Sequence, residues 1–328
     1  MSGRTTSTSK YIVLKILQFI PLLFGVVVVN FVIIHSAPGD PAFALAGRSL
    51  ASEEYLTMIR HEYGLDKSLP EQFFIYLTQL LQLNLGYSLF YRSPVLDVIL
   101  ERVPATLLLA GTGLGIAFIF GIILGVLSSR KPRSFKSNAM SLFTLIGFSI
   151  PEFWLGQMLI LVFSIMLGVF PVQGIITARA ELTGLQYVGD VISHLFLPAV
   201  TYALFFLALV SRLTRAAMIE ALSSDYVTAA RAKGLKERTV LLRHALRNAL
   251  LPVVTVLGLR AGVAISGAVL IETVFSWPGI GRLTSEAINA RDNPMLMGLL
   301  IFLTTSVILS TTLTDVLYSR LDPRIRYR

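Results

Sequence analysis

Six stretches of this chain are apolar over the length that a lipid bilayer demands. A membrane-crossing helix needs roughly 20 mostly apolar residues, and residues 11–34, 105–128, 138–167, 196–217, 249–274 and 295–319 each reach it. In hydrocarbon every backbone N–H and C=O must find a partner within the protein, so single stretches of this kind fold as helices. Only 14% of the residues are charged and 54% are hydrophobic, which puts the chain in the membrane class. The sequence therefore predicts an all-α polytopic membrane protein with six transmembrane helices and both termini on the same side.

The charge pattern orients this arrangement. Placing both termini in the cytoplasm puts 19 of the 28 basic residues on the cytoplasmic side, and the alternative orientation would reverse that bias. The net charge of +9 is thus a topology signal that follows the positive-inside rule and requires no nucleic-acid partner. The expected location is a cell (inner, cytoplasmic) membrane, multi-pass, with cytoplasmic N- and C-termini. The first apolar stretch is too long for the core of a secretory signal, so it is read as a retained helix. The absence of cysteine excludes disulfides, thiolate metal sites and cysteine nucleophiles.

Residues 36–103, between the first and second spans, are expected to form an external helical loop domain. They hold eight of the 19 acidic residues. Ser52 is placed to cap a helix running to Gly64, and Ser68 with Glu71 forms a capping box for another from Leu69 to about Leu83. Ser93 before Pro94 starts a third, which Pro104 is expected to separate from the second span. Two roles fit this segment, a lid over loop backbone or a docking surface for an external partner.

Within the spans, three features stand out. The second contains Gly111, Gly115, Gly121 and Gly125, read as two pairs of small residues that let helix backbones approach. In the third, Pro151 removes a backbone hydrogen bond and is expected to kink the helix, exposing polar backbone to protein or to a water-filled cavity. Glu152 beside it either lines a translocation path or is a protonated or paired structural carboxyl. In the fifth, Arg260 lies too deep to reach either interface easily. It is either a cation lining the path or the buried partner of Glu152.

Several chemistries are missing. There is no GxxxxGK[ST] phosphate loop, so ATP hydrolysis by that route must come from another polypeptide. His35, His61, His194 and His244 lack metal-ligand spacing, no HExxH or GxSxG occurs, and neither a metal site nor a bound cofactor is expected.

Residues 225–252, DYVTAARAKGLKERTVLLRHALRNALLP, form a polar, basic helical insert between two hydrocarbon stretches. Asp225 favours a helix N-terminus, Ala229, Ala230 and Ala232 favour its interior, and Gly234 can end it. A second basic helix then leads into the fifth span at Pro252. About 30 residues in two helices exceed what an ordinary connection needs, so the insert reads as a docking element for a soluble partner.

This segment resembles the EAA loop of ABC-importer permeases: Thr228-Ala229-Ala230, three residues, Gly234, nine residues, then His244-Ala245-Leu246. The form is similar to the dipeptide, oligopeptide and nickel permease family, specifically the subunit with a large external loop after its first span. APGDP at 37–41, YGLDKSLPEQF at 63–73, ERVPATLLL at 101–109, ETVFSWPGIGRL at 272–283 and the tail LDPRIRYR at 321–328 resemble it in the same order. Thr228 stands where the general motif has Glu, Arg247 where the loop often has Pro, and Arg260 where an uncharged polar residue is expected.

The resemblance implies a type I ABC-importer permease fold, in which residues 1–35 hold the N-terminus and first span and 104–328 form a five-helix core. The coupling loop lies at about 220–248 within that core. The implied function is a non-enzymatic permease subunit that moves di- or oligopeptides by alternating access. The implied partners are a second homologous permease, two cytoplasmic ATPases carrying ATP and Mg, an external solute-binding protein, the solute and membrane lipid. Asp225, Tyr226, Ala229, Ala230, Lys233, Gly234 and Leu235 are the candidate ATPase contacts; Pro151, Glu152 and Arg260 are the candidate path residues. A bulky or charged side chain at Gly234 is expected to uncouple transport without preventing insertion. Nickel complexes or oligosaccharides are alternative cargoes, and a stand-alone ion-coupled carrier is the alternative from another class.

Overall fold

The computed structural model describes residues 8–36, 52–62, 64–88, 90–178, 180–264 and 268–321. APGDP at 37–41, the tail beyond Leu321 and the side chain of Arg260 lie outside the described residues. The structure is helical, with a single two-stranded antiparallel pair among the described residues. Among the described residues, three helices are long and apolar enough to cross a membrane, or four if one bent pair counts as a single span; the apolar helix Phe19–Ile33 is shorter.

By packing, the chain divides into two compact units, Met1–Pro104 with Gly279–Arg328, and Ala105–Pro278. In the first unit, α1 (Thr8–Ser36) precedes α2 (Glu53–Glu62) and α3 (Leu69–Leu81). The Ser52 hydroxyl accepts from the Tyr55 N–H, and Gly64 adopts φ +65° beyond the end of α2. The expected capping box of Ser68 and Glu71 forms, and the Glu71 carboxylate accepts from both the N–H and the hydroxyl of Ser68.

The third expected start is displaced. Ser93 and Pro94 form strand β2, paired with β1 (Tyr87–Ser88), and α4 begins at Val95 and runs to Ser129. Pro104 lies inside α4 and separates nothing. A proline deletes one N–H and crowds one carbonyl, and helices at membrane depth tolerate that loss because neighbouring groups take up the freed backbone.

The last elements of this unit are α11 (Ile280–Ala290) and α12 (Asn293–Leu321). Val95, Ile99, Ile280, Leu283, Ala287, Met295 and Leu299 form their buried core with the start of α4. Asp292 ties the strand pair to α12: its carboxylate accepts from the Ser88 hydroxyl and from the Met295 N–H. Asn30 on α1 donates to the Met297 carbonyl.

In the second unit, the third span is broken where a kink was expected. Helices α5 (Phe135–Ser149) and α6 (Glu152–Leu159) meet at 99°. Ile150 and Pro151 are both extended, with ψ of 128° and 131° respectively. The pyrrolidine ring drives the residue before it out of the helical region, so two consecutive residues leave the helix and the chain changes direction. α6 continues as a π-helix, Ile160–Met166, ended by Gly168 at φ +64°.

Helix α7 (Gly184–Leu222) has 39 residues, about 58 Å at 1.5 Å per residue, well beyond the predicted 196–217. It packs on α4 in parallel register. A Cβ on Gly113, Gly121 or Gly125 would fall within 2.7 Å of Tyr202, Val210 or Thr214, respectively. With buried Ala117, these glycines make a row of small residues at intervals of four. Gly111 and Gly115 were expected in this contact, but among the described residues nothing lies within 4 Å of their Cβ positions. The row that meets α7 starts at Gly113.

Beyond α8 (Asp225–Ala232), a turn of helix Glu237–Thr239 and a π-helical stretch Val240–Ala245 lead into α9 (Leu246–Ala264). Pro252 sits inside α9. The fifth apolar stretch does not reach residue 274 as one helix, because α10 (Val269–Val274) is a separate short element. Leu109, Leu197, Tyr202, Ile271, Phe275 and Trp277 fill the centre of this unit.

Candidate functional site

Helix α8 is short, and its position is set by two residues. Val227 and Ala230, one turn apart, are buried in a cluster with Met218 of α7 and with Val240, Leu241, Ala245 and Ala249. Its start is tied to the end of α7 through Ser224, whose N–H and hydroxyl both donate to the Ala221 carbonyl. Asp225 in the first turn complements the positive end of the helix.

The other end is a glycine turn. Lys233 N–H donates to the Ala229 carbonyl, and Gly234 takes φ +76°, a left-handed conformation that glycine adopts without Cβ strain. Arg231 then reaches across the turn: its Nε and Nη2 donate to the two Glu237 oxygens at 3.2 and 2.9 Å. That hydrogen bond to Arg231 holds the Glu237 carboxyl below its ordinary value, against a smaller opposing effect of desolvation.

Of the seven residues expected at a partner contact, Asp225, Tyr226, Ala229, Lys233, Gly234 and Leu235 are exposed together around this helix and turn. Ala230 is not. At 6% exposure it faces the protein's own core and helps to position the helix.

The candidate path residues are less gathered. Pro151 forms the break, and Glu152, half-buried, opens α6 beside it. A carboxylate in the first turn also suits the helix dipole. Arg260 lies on α9, and its meeting with Glu152 falls outside the described residues.

Sequence reasoning missed Glu272. Its side chain is fully buried near the end of the fifth apolar stretch, where the Thr106 hydroxyl donates to Oε1 at 3.0 Å. One residue earlier on α4, the Ala105 carbonyl accepts from Trp277 Nε1 at 2.8 Å. Both donors and acceptors belong to ERVPATLLL and ETVFSWPGIGRL, so the two sequence segments meet in one polar clasp. An acidic residue five positions before a tryptophan, in an otherwise apolar stretch, was the available signal.

The arrangement of helices defines the class first. The chain superimposes on a membrane subunit of the MetNI methionine ABC transporter in an inward-facing conformation with a TM-score of 0.53 and 18% identity, covering 69% of this chain and 97% of that one, a likeness of fold. Residues 117–327 match the family described as binding-protein-dependent transport system inner membrane component, and residues 8–110 match its N-terminal region. The chain belongs to this family of ABC-importer permease components, which are transport subunits without catalysis of their own. A di/tripeptide transport system permease protein of Pseudomonas aeruginosa is 40% identical over 323 residues, 94% of this chain and 96% of that one. An oligopeptide transport system permease protein of Bacillus subtilis is 37% identical, covering 97% of this chain and 99% of that one.

Proposed function

We propose that this chain is one of two homologous permease subunits in a peptide importer and translocates di- or oligopeptides by alternating access. The peptide cargo is supported by the relatives, whose names specify di/tripeptide and oligopeptide transport. In this reading the six spans are α1, α4, the α5–α6 pair, α7, α9 and α12. Residues 36–103 belong to the external side, and both termini are cytoplasmic in the inner membrane. An external solute-binding protein delivers cargo, and two cytoplasmic ATPases hold the ATP and Mg; this chain holds no cofactor.

The observation that carries the reading is the presentation of α8. Val227 and Ala230 anchor it to the chain's own core, Arg231 and Glu237 bridge the turn, and Asp225, Tyr226, Ala229, Lys233, Gly234 and Leu235 remain outside. A helix so anchored moves with α7 and with the run leading into α9. An ATPase gripping the exposed face biases two states of the pathway through its differential affinity for them. Pro151, Glu152 and Arg260 are the candidates for lining that pathway.

The test is reconstitution of the complex, purified through this chain, into liposomes with ATP enclosed and binding protein outside. Labelled di- and oligopeptides are expected to accumulate only when both ATP and binding protein are present. Uptake by this chain alone, driven by an ion gradient, would overturn the proposal.

A further inference from the structure

From Gln72 to Tyr91 the chain reads QFFIYLTQLLQLNLGYSLFY and carries no charged residue. The segment covers nearly all of α3, the turn after it and the first strand. A helix standing in water ordinarily keeps charges on its solvent face. Here the exposed positions are apolar: Phe74, Leu81, Leu83 and Phe90 are 66%, 80%, 78% and 64% exposed. The charges cluster before it, at Glu53, Glu54, Asp66, Lys67 and Glu71.

The first turns of α3 pack against the apolar end of α1. Gln72 meets the end of α1, with its Oε1 3.0 Å from His35 Nε2. One residue further, the Phe73 ring lies edge-on to Phe31 at 5.2 Å and to Phe24 at 6.2 Å, and Tyr76 stacks on Phe31 at 6.3 Å. His35 to Phe24 covers roughly 16 Å of helix at 1.5 Å per residue, about half of a 30 Å hydrocarbon layer. Phe24 and Phe31 both lie within the apolar helix Phe19–Ile33, whose own exposed side chains, Ile20, Leu22, Val29 and Ile33 among them, are as apolar as those of α3.

We propose that α3 and the turn after it lie in one half of the bilayer alongside α1, with acyl chains covering Phe74, Leu81 and Leu83. The polar start, where Glu71 closes on Ser68, sits at the interface beside His35. The uncharged remainder continues the lipid-facing surface of α1. The proposal requires only that α1 crosses the membrane, whatever the cargo or coupling mechanism.

The chain has no cysteine, so a single spin label can be placed in it, with the unsubstituted complex carried through the same labelling as the background. Phe74→Cys, Leu81→Cys and Leu83→Cys are labelled in the reconstituted complex, with Glu54→Cys and Thr57→Cys on α2 as aqueous controls. Collision with oxygen is expected to exceed collision with a water-soluble nickel chelate several-fold at the first three positions, and the order to reverse at the controls. Nickel exceeding oxygen at positions 74, 81 and 83 would place them in water and overturn the proposal; low collision with both would mean that protein covers them, and would overturn it equally. Independently, Phe74→Trp in a Trp154→Phe background is expected to be quenched by lipids brominated on their acyl chains, and unchanged fluorescence would count against the proposal.

Discussion

Gly234 fixes the end of α8 through its backbone. Among the described residues no atom lies within 4 Å of the place where its Cβ would stand, so a side chain has room there. The constraint is φ +76°, which costs an ordinary L-residue about 1–2 kcal/mol and asparagine less. Gly234→Val is therefore expected to lower ATP-driven uptake several-fold at unchanged membrane levels, while Gly234→Asn keeps most of it. Equal loss in both, measured as initial uptake rate, would shift the cause from backbone strain to the added side chain at a contact surface. Glu272 is constrained differently, by burial and by the hydroxyl of Thr106. Glu272→Gln keeps a carbonyl acceptor and is expected to destabilise the detergent-solubilised protein by about 1 kcal/mol or less, whereas Glu272→Ala removes the acceptor and opens a cavity, costing about 2–5 kcal/mol. Thermal unfolding midpoints of the two variants check this order.

At the scale of elements, the close pair is α4 against α7. A Cβ at Gly125 would stand 2.5 Å from Thr214 Cβ and 2.9 Å from the Ser211 carbonyl oxygen, which is backbone and cannot swing aside. Gly125→Ala is expected to destabilise by about 1–3 kcal/mol through overpacking. Gly111→Ala, in open space on the same helix, is expected to stabilise by up to about 1 kcal/mol, the ordinary helix preference of alanine over glycine. A lower unfolding temperature for Gly111→Ala than for Gly125→Ala would contradict the assigned face. Hydrophobic length located the apolar helices, but it could not choose between glycine rows at 111/115 and at 113/117/121/125. Both have the right spacing, and only the partner helix distinguishes them. The prolines show the same limit. Pro104 is carried inside α4, with the next two residues held from outside by Trp277 and Glu272, whereas Ile150 and Pro151 both leave the helix and break the span. What lies beside each proline decides the outcome, and that information is tertiary.

For the whole molecule, the proposed function asks how a short surface helix would pass motion on to a pathway through the membrane. Helix α8 answers it by being doubly owned: Val227 and Ala230 belong to the core that joins the end of α7 to the run entering α9, and its other faces are free for a partner. The alanine content, cap and glycine of α8 were legible as a helix, yet its faces were not, because alanine serves equally well inside and outside. Burial separates Ala230 from Ala229, one residue apart. This separation predicts a labelling pattern for single cysteines placed in the cysteine-free chain. Tyr226→Cys and Ala229→Cys are expected to react with a soluble maleimide when the ATPases have been stripped from the membrane, and to be protected several-fold when they are rebound. Val227→Cys is expected to react slowly in both conditions, since its side chain is enclosed by the chain itself. Reactivity at 226 and 229 that ignores the ATPases would remove α8 as the coupling contact, and fast reaction at 227 would show that the cluster anchoring it does not form.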